Sequence, residues 1–388
     1  MRTKMIPAAA AALGLVGVLA AGQGAAAHTR ELDTEHLESR LEAFAAQAGG
    51  SVLVQVEHGD DTWTAAAGTR DLGADSAPAR PGDRVRIGSV TKSMTAAVVL
   101  QLEGEGLLDL DDPIGDHLPG LLPYEADPTV RQLLQHTSGV PDWLKLAYPG
   151  IGSGDFTELY AGYRTHYEPE AIVAIAAAED LDFKPGTDWS YSNTGYTVLG
   201  MLIEELTGNR LRDELEERVF EPADLDRTYL PRDGTAGIRG PHAVPYVTTG
   251  DPGRPYFDAT ALSNTQTWAG GGVISTVGDL NDFYEALSEG TLLTAEQFAA
   301  ASAFMDTGGS YDYGLGLGAV EIDCGEGEEQ VYGHHGDGLG HQTQSFHSAD
   351  GERRFTVSWS IDDKAGYGDE DAFDKALSDL TATALCEA

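Results

Sequence analysis

The chain has few cysteines and little positive charge, and both scarcities limit what it can be. Its 388 residues include 2 cysteines, which excludes a disulfide-rich scaffold. Lysine and arginine number 24 against 63 aspartates and glutamates, for a formal net charge of −39. A chain this acidic repels nucleic acid and anionic lipid, so we expect neither as a partner. Two explanations of the acidity stay open: a surface suited to high salt, or a merely acidic exported protein.

Long apolar runs are also scarce, and the run near the N-terminus is typical of an export signal. Arg2 and Lys4 precede an apolar, alanine-rich stretch over 7–22, and the alanines at 25–27 offer a small-residue cleavage site. The run is too short and too rich in alanine for a convincing membrane span. We therefore predict a signal peptide over 1–27 and a secreted, extracellular protein without a membrane anchor.

Apolar patterning gives the mature chain strand-rich ends and a helical middle. Six segments have the composition and alternation of strands: 51–56, 62–69, 316–322, 331–335, 342–348 and 354–361. We predict an α/β sheet domain over 28–85 and 272–388, whose antiparallel sheet is built from both termini and flanked by helices. A mainly helical domain over 86–271 would be inserted between the two halves. The active site is expected where the domains meet.

A Ser-x-x-Lys tetrad, Ser89 to Lys92, is the strongest chemical signal in the sequence. It opens an almost uniformly apolar run to Leu102, which predicts a helix buried on most sides. Residues three apart on a helix share a face, so we expect the Ser89 hydroxyl beside the Lys92 amine. Burial lowers the pKa of a lysine, which can then take the proton of an attacking serine.

Two further single-copy motifs follow the tetrad. Tyr-Ser-Asn at 191–193 lies in a loop before a predicted helix, and Gly-His-His-Gly at 333–336 lies on a predicted strand. Each is weak alone, but three motifs in this order, on a helix start, a loop and a strand, favour a serine hydrolase.

Alternative interpretations of the same residues stay open. Tyr191 could be a packed loop aromatic and Asn193 a helix cap. The histidine pair at 334–335 could belong to a metal site with His341 or His347. No carboxylate or cysteine lies there at a ligand spacing, so we predict no metal and no other cofactor.

Together the motifs resemble the penicillin-recognising serine hydrolases, the serine β-lactamase and penicillin-binding-protein superfamily of class C type. The likeness is greatest to the secreted D-alanyl-D-alanine carboxypeptidases and covers nearly all of the mature chain. Supporting segments lie at 87–93, 107–113, 133–139, 185–187, 200–204 and 313–317. The resemblance implies the β-lactamase/DD-peptidase fold.

The resemblance also implies an activity. A serine-type carboxypeptidase would act on cell-wall peptides through an acyl-enzyme, and we expect it to be monomeric. An esterase or a D-aminopeptidase/amidase of the same superfamily is the alternative, ahead of a β-lactamase. A non-catalytic penicillin- or peptidoglycan-binding protein is the alternative from another class.

Roles for individual residues follow from the resemblance. Ser89 is the nucleophile, and Lys92 and Tyr191 share its proton, with either one as the base. Asn193 donates its amide to the acyl carbonyl of the substrate. His334 helps to pass the proton or orients Tyr191.

Further residues are expected around the substrate. The backbone N–H groups of Ser89 and Asp337 would form the oxyanion hole. Trp143 and Trp268 line the cleft or belong to the core. His136, in a His-Thr-Ser-Gly turn, braces a loop near the cleft.

The two cysteines, Cys324 and Cys386, form either a disulfide or two buried free thiols. The secreted carboxypeptidases carry a disulfide at similar positions, which favours the bridge.

Two departures from the carboxypeptidase pattern concern the substrate. Those enzymes hold the terminal carboxylate with an arginine where this chain has Gly318, and with threonine hydroxyls where it has His335 and Asp337. An aspartate repels a bound carboxylate, although a protonated His335 would partly compensate. We therefore predict weak binding of free C-terminal carboxylates, and better binding of amides, esters or cationic substrates.

Overall fold

The computed structural model describes residues 32–153, 155–232, 234–249, 251–309, 311–325, 327–363 and 368–386. The predicted signal peptide, 1–27, lies outside this part of the chain. The helices are α1 (Thr34–Ala48), α2 (Thr91–Gly104), α3 (Ile114–His117), α4 (Val130–Leu134), α5 (Trp143–Ala147), α6 (Thr157–Gly162), α7 (Pro169–Ala176), α8 (Asn193–Thr207), α9 (Leu211–Leu215), α10 (Trp268–Gly271), α11 (Val277–Ser288), α12 (Ala295–Ala301) and α13 (Glu370–Leu385). The strands are β1 (Ser51–His58), β2 (Asp61–Gly68), β3 (Val85–Arg86), β4 (Tyr246–Thr248), β5 (Tyr256–Asp258), β6 (Ile274–Ser275), β7 (Asp312–Tyr313), β8 (Gly318–Asp323), β9 (Glu328–Asp337), β10 (Gln342–Ser348), β11 (Arg353–Trp359) and β12 (Ile361–Asp362).

One antiparallel sheet forms the frame of the molecule. Its seven strands run in the order β2-β1-β11-β10-β9-β8-β7, so strands from both ends of the chain lie side by side. β1 pairs with β11 from Val52 opposite Trp359 to His58 opposite Arg353. The predicted α/β fold, with one antiparallel sheet built from both termini, is confirmed.

Helices cover both faces of the sheet. On one face α1 and α13 pack against β11, where the Phe44 ring lies 5.4 Å from Trp359 and 5.3 Å from Phe373. On the other face α11 is joined to β11 by a buried hydrogen bond of 2.7 Å from Thr356 Oγ1 to Asn281 Oδ1. Because both faces are covered, every residue of β11 except the first is buried, rather than every second one.

The central helix α2 has the environment that its composition predicts. Met94 and the residues from Ala96 to Leu100 are at most 1% exposed. They belong to the larger apolar cluster, which also contains the buried faces of α8 and α11. A helix that is apolar on every side is stable only when its neighbours enclose it, and this enclosure holds the first turn of α2 in place.

Element ends differ from the sequence prediction by a few residues. α8 begins at Asn193, directly on the tyrosine motif, because Thr194, Gly195 and Tyr196 are buried although they show no apolar period. β9 extends from Glu328 to Asp337, since backbone pairing with β8 continues through exposed polar residues that carry no strand signal.

The predicted disulfide is confirmed. Cys324, just after β8, is bonded to Cys386 at the end of α13, with the two Cα atoms 5.2 Å apart. The bridge fastens the C-terminal helix to the sheet.

None of the helices within the described residues combines the length and hydropathy that crossing a bilayer requires.

Candidate active site

The three motifs meet in one cleft. Ser89 lies in a single 3-10 turn, Gly88–Val90, directly before α2, and Tyr191 lies just before α8. His335 and Asp337 lie at the end of β9 and line the same cleft, whose volume is about 340 Å³. The rest of the wall is mainly apolar: Trp143, Leu144, Ile151, Phe156, Leu159, Leu262 and Leu339.

Lys92 is positioned to take the proton of Ser89. Its Nζ atom is hydrogen-bonded to Ser89 Oγ at 3.1 Å, which confirms the predicted pairing. It also donates to Asn193 Oδ1 at 2.9 Å and to the backbone oxygen of Gly270 at 2.6 Å. When the amine is neutral, its two N–H groups satisfy those fixed oxygens and its lone pair faces Ser89 Oγ.

Burial decides which group acts as the base. It lowers the pKa of Lys92 to about 7, against an opposing effect of the Asp142 charge. Burial also raises the pKa of the Tyr191 hydroxyl well above its ordinary value, although a hydrogen bond with Ser89 works in the other direction. Near neutral pH Lys92 is thus partly a free amine while Tyr191 stays a phenol. Of the two bases left open by the sequence, the geometry favours Lys92, with Tyr191 as a proton relay.

His136 braces a loop near the cleft, as predicted, and this loop carries Tyr191. Its backbone oxygen accepts from Ser190 N at 3.0 Å, and its ring Nδ1 accepts from Ser192 N at 3.2 Å. The His136 and Tyr191 rings are tilted against each other with centroids 4.2 Å apart. His136 has a φ of 61°, in the left-handed region that non-glycine residues seldom adopt.

Asp142, buried beside Asn193 and not among the described residues that line the cleft, is a residue of the site that the sequence reasoning missed. The buried carboxylate accepts from the backbone N–H of Leu144 and from both Asn193 N and Asn193 Nδ2, each at 3.3 Å. An aspartate directly before a helix has the signature of an N-cap. That signature predicts the cap at α5 but not the contact with Asn193.

Asn193 presents its two amide atoms to opposite partners. Oδ1 accepts from Lys92, and Nδ2 donates to Asp142. The predicted donation of this amide to a substrate carbonyl stays a prediction, because in this structure Nδ2 is directed to a carboxylate.

His334 makes hydrogen bonds other than the expected ones. Its Nδ1 bonds with the backbone oxygen of His335 at 2.5 Å, and its Nε2 with the Tyr313 hydroxyl at 3.0 Å. Its partner is thus Tyr313 rather than Tyr191, whose ring centroid is 6.5 Å from that of Tyr313. Burial lowers the pKa of His334 well below its ordinary value, so the ring is neutral. A direct role in orienting Tyr191 is not supported, and a role in proton transfer would pass through Tyr313.

Two backbone segments meet where the oxyanion hole is expected. A Cβ atom built on Gly336 would lie 1.9 Å from the oxygen of Ile87, and one on Gly88 would lie 2.7 Å from Asp337 N. Only glycine permits this approach at either position.

The antiparallel pairing of β9 with β10 also fixes the direction of the Asp337 N–H group. Gly338 N donates to His341 O, and antiparallel pairs alternate, so the N–H of Asp337 points away from β10 and toward the turn at Ser89. This direction is the one that the predicted oxyanion hole requires.

The two candidate tryptophans have different positions. Trp143 lines the cleft and is also 1% exposed, so it belongs to both the wall and the core. Trp268 is not among the described residues that line this cleft; of the two positions left open for it, it has the one in the core. Its ring packs against α8, where a Cβ on Gly200 would lie 2.8 Å away. The wall instead includes Tyr311, unforeseen from the sequence, whose ring is 5.5 Å from that of His335.

The histidines of the alternative metal site have other partners. His341 accepts from Arg86 N at 3.0 Å and contacts the backbone oxygen of Ala243 at 3.1 Å. His347 bonds with Ser345 Oγ at 3.1 Å. Within the described residues no group of three or more His, Cys, Asp or Glu side chains is placed to hold a metal ion.

The fold and the pairing of a nucleophilic serine with a buried lysine define an active-site serine hydrolase. A family profile described as Beta-lactamase matches residues 36–377. The chain belongs to the Beta-lactamase family.

Individual relatives agree with this assignment. A crystal structure of a D-stereospecific amidohydrolase from Streptomyces sp. has 31% identity and a TM-score of 0.77, covering 89% of this chain and 98% of that one. The D-aminopeptidase of Brucella anthropi is 30% identical over 337 residues, 82% of this chain and 58% of its own length. Penicillin-binding protein 4* of Bacillus subtilis (strain 168) is 27% identical over 295 residues, 73% of this chain and 62% of its own length. The chain thus spans about three fifths of the two curated relatives.

The buried amine predicts a pH profile. The kcat/KM for hydrolysis of an activated ester should rise with pH and level off, with a midpoint near 7, because Lys92 must lose its proton before it can accept that of Ser89. Initial rates from pH 5 to 9 in constant ionic strength measure this limb, with Lys92→Ala as the inactive control. A rate that keeps rising up to pH 9 without levelling off would assign the base to Tyr191 instead.

Proposed function

We propose that the protein is an acyl-enzyme hydrolase of amides and esters of D-amino acids, rather than a carboxypeptidase for peptides ending in a free carboxylate. The observation that carries the proposal is the charge of the cleft. None of the described residues lining it is an arginine or a lysine, and Asp337 lines it at the end of β9. The leaving group of the substrate is expected at this end of the cleft, which we call the leaving-group edge.

The catalytic step uses the residues already placed. Lys92 removes the proton of Ser89, whose Oγ attacks the substrate carbonyl. The N–H groups of Ser89 and Asp337 stabilise the resulting oxyanion. When the C–N or C–O bond breaks, the leaving group takes a proton from Tyr191, which recovers one from the Lys92 ammonium. Water then attacks the acyl-enzyme by the reverse path and releases the acid.

Arginines that follow β9 along the chain are engaged elsewhere. Arg353 is paired with Glu329, and Arg354 with Glu57 at 2.7 Å and Glu285 at 2.9 Å. They therefore do not replace the arginine that carboxypeptidases carry at the position of Gly318.

His335 does not supply the missing charge either. Desolvation in the cleft and the nearby Lys92 lower its pKa below the ordinary value. A neutral imidazole adds no positive charge beside Asp337.

The wall of the cleft and the relatives indicate the acyl group. Trp143, Phe156 and Leu159 are among the apolar residues that face the space beside Ser89, which suits a bulky apolar side chain. The amidohydrolase of known structure is named as D-stereospecific, and a curated relative as a D-aminopeptidase. Both names support D-configured substrates with an amide bond.

A matched substrate panel tests the proposal. D-phenylalanine amide and D-phenylalanine methyl ester should each be hydrolysed with a kcat/KM at least about tenfold above that of an N-acyl peptide ending in D-Ala-D-Ala. The reason is that, of the three substrates, only the peptide places a carboxylate near Asp337. L-phenylalanine amide tests the configuration, and Ser89→Ala is the blank. Faster release of D-alanine from the peptide than of ammonia from the amide would overturn the proposal.

An arginine at 318 should restore part of the missing carboxylate binding. A Cβ on Gly318 would meet Gly333 O at 3.5 Å and Tyr311 Cδ2 at 3.6 Å, which are ordinary contacts, so a side chain fits there. Gly318→Arg should raise kcat/KM for the D-Ala-D-Ala peptide roughly tenfold, the effect of one charge-assisted hydrogen bond. Gly318→Gln, of similar reach without charge, is the control and should leave the peptide rate unchanged. An equal gain in both variants would show that charge is not the missing element.

We also propose that the protein acts outside the cell. The export-like pattern at 1–27 and the Cys324–Cys386 disulfide support this location, since such bonds persist in oxidising compartments. When it is expressed in a secreting bacterial host, the protein in the medium should have the mass of a chain beginning near His28, less two hydrogens. Retention of residues 1–27 in cell-associated protein would contradict the proposal.

A further inference from the structure

We propose that Asp142 is a positioning residue that acts through Asn193 to hold Lys92 as the base and to set the pH at which it works. The inference rests on the proposed acyl-enzyme chemistry and adds a residue that does not touch the substrate.

A continuous chain of hydrogen bonds joins Asp142 to the nucleophile. Asn193 Nδ2 lies 3.3 and 3.4 Å from the two carboxylate oxygens of Asp142, and Asn193 Oδ1 accepts from Lys92 Nζ at 2.9 Å. Lys92 Nζ is in turn 3.1 Å from Ser89 Oγ.

Asp142 fixes the orientation of the Asn193 amide. A carboxylate is an acceptor only, so it selects the rotamer in which Nδ2 faces it and Oδ1 faces Lys92. Reversing the amide would set an N–H donor against the amine of Lys92 and the Oδ1 atom against a carboxylate. Each reversed contact leaves a buried polar group without a suitable partner, which disfavours the reversed orientation.

Asp142 also acts on Lys92 by its charge. Burial raises the pKa of Asp142, but the charge of Lys145 works against this effect. The N–H groups of Leu144 and Asn193, which donate each hydrogen bond that the structure gives the carboxylate, also favour its ionised form. The negative charge raises the pKa of Lys92 and so limits the larger decrease that burial causes.

Other titratable groups near Lys92 do not supply such a charge. Burial keeps two histidines neutral and two tyrosines protonated: His136, His334, Tyr191 and Tyr196. The pKa of His335, which is exposed at the end of β9, is also lowered, by desolvation and by Lys92. Among the described residues Asp142 is thus the ionised group that acts on the amine.

Three variants separate the charge of Asp142 from its role as a structural cap. Asp142→Asn keeps the size of the side chain and an acceptor for Leu144 N, but removes the charge. The acid limb of the pH profile should move to lower pH by roughly half a unit or more, because Lys92 then loses its proton more readily. Asp142→Glu keeps a carboxylate and should leave the limb near its wild-type position. Asp33→Asn is the matched control, since Asp33 caps α1 by accepting from His36 N, outside the residues that line the cleft.

The limb is measured in two ways that do not depend on the natural substrate: hydrolysis of p-nitrophenyl acetate, and the rate of Ser89 inactivation by a fluorophosphonate probe, each from pH 5 to 9. The expected result is a shift of both limbs in Asp142→Asn alone. A folded Asp142→Asn that is slower at every pH with an unmoved limb would reduce Asp142 to a structural cap and overturn the inference. An unmoved limb at full rate would overturn it too. Such results leave the proposed function intact, whereas a wild type that the probe does not label at Ser89 would overturn both.

Discussion

The desolvation of the Lys92 amine is the constraint on which the rest of the site depends. Moving an ammonium group from water into the protein interior costs free energy. In this site burial lowers the pKa of the amine, and each of its N–H groups has a hydrogen-bond partner. Those partners come from three separate segments: Ser89 before α2, Asn193 at the start of α8, and Gly270 in α10. The packing of these helices around α2 therefore maintains the lowered pKa of Lys92. Loosening any of them would admit water and raise that pKa toward its ordinary value.

A second constraint is the close approach of the sheet to the nucleophile turn. Gly88 and Gly336 bring the backbones of the two segments into direct contact, and a Cβ on either would overlap main-chain atoms. Side chains between the segments would separate Ser89 from the end of β9. The seven-stranded sheet thus serves as a rigid support that holds one backbone amide near the other, which is how an oxyanion hole is pre-organised.

The fold could be predicted from the sequence because its signals are local and redundant. β11 and α2 are recognisable from composition alone, and the three motifs located Ser89, Lys92 and Tyr191. Asp142 could not be found this way, because its cap signature is shared by many surface helices and its partner Asn193 lies far along the chain. The position of Trp268 stayed open for a different reason: composition shows that a tryptophan is buried, but not whether its ring faces a cleft or a neighbouring helix. The hydrogen bonds of His334 likewise depend on Tyr313, which had no motif to mark it.

Charge acts on substrate choice at two ranges. The formal net charge of −39 creates a negative field around the molecule, but salt screens such a field beyond about 10 Å at 0.1 M. That field therefore affects how often an anionic or cationic substrate arrives, and its effect weakens as salt is added. Asp337 is exposed but lines the cleft itself, so its repulsion of a bound carboxylate acts over a short distance and is screened less than the field of the whole surface. Both effects disfavour a substrate with a free carboxylate. The catalytic groups Ser89, Lys92 and Tyr191 do not depend on either effect. The proposed preference for amides and esters therefore rests on the residues at the leaving-group edge rather than on the catalytic groups.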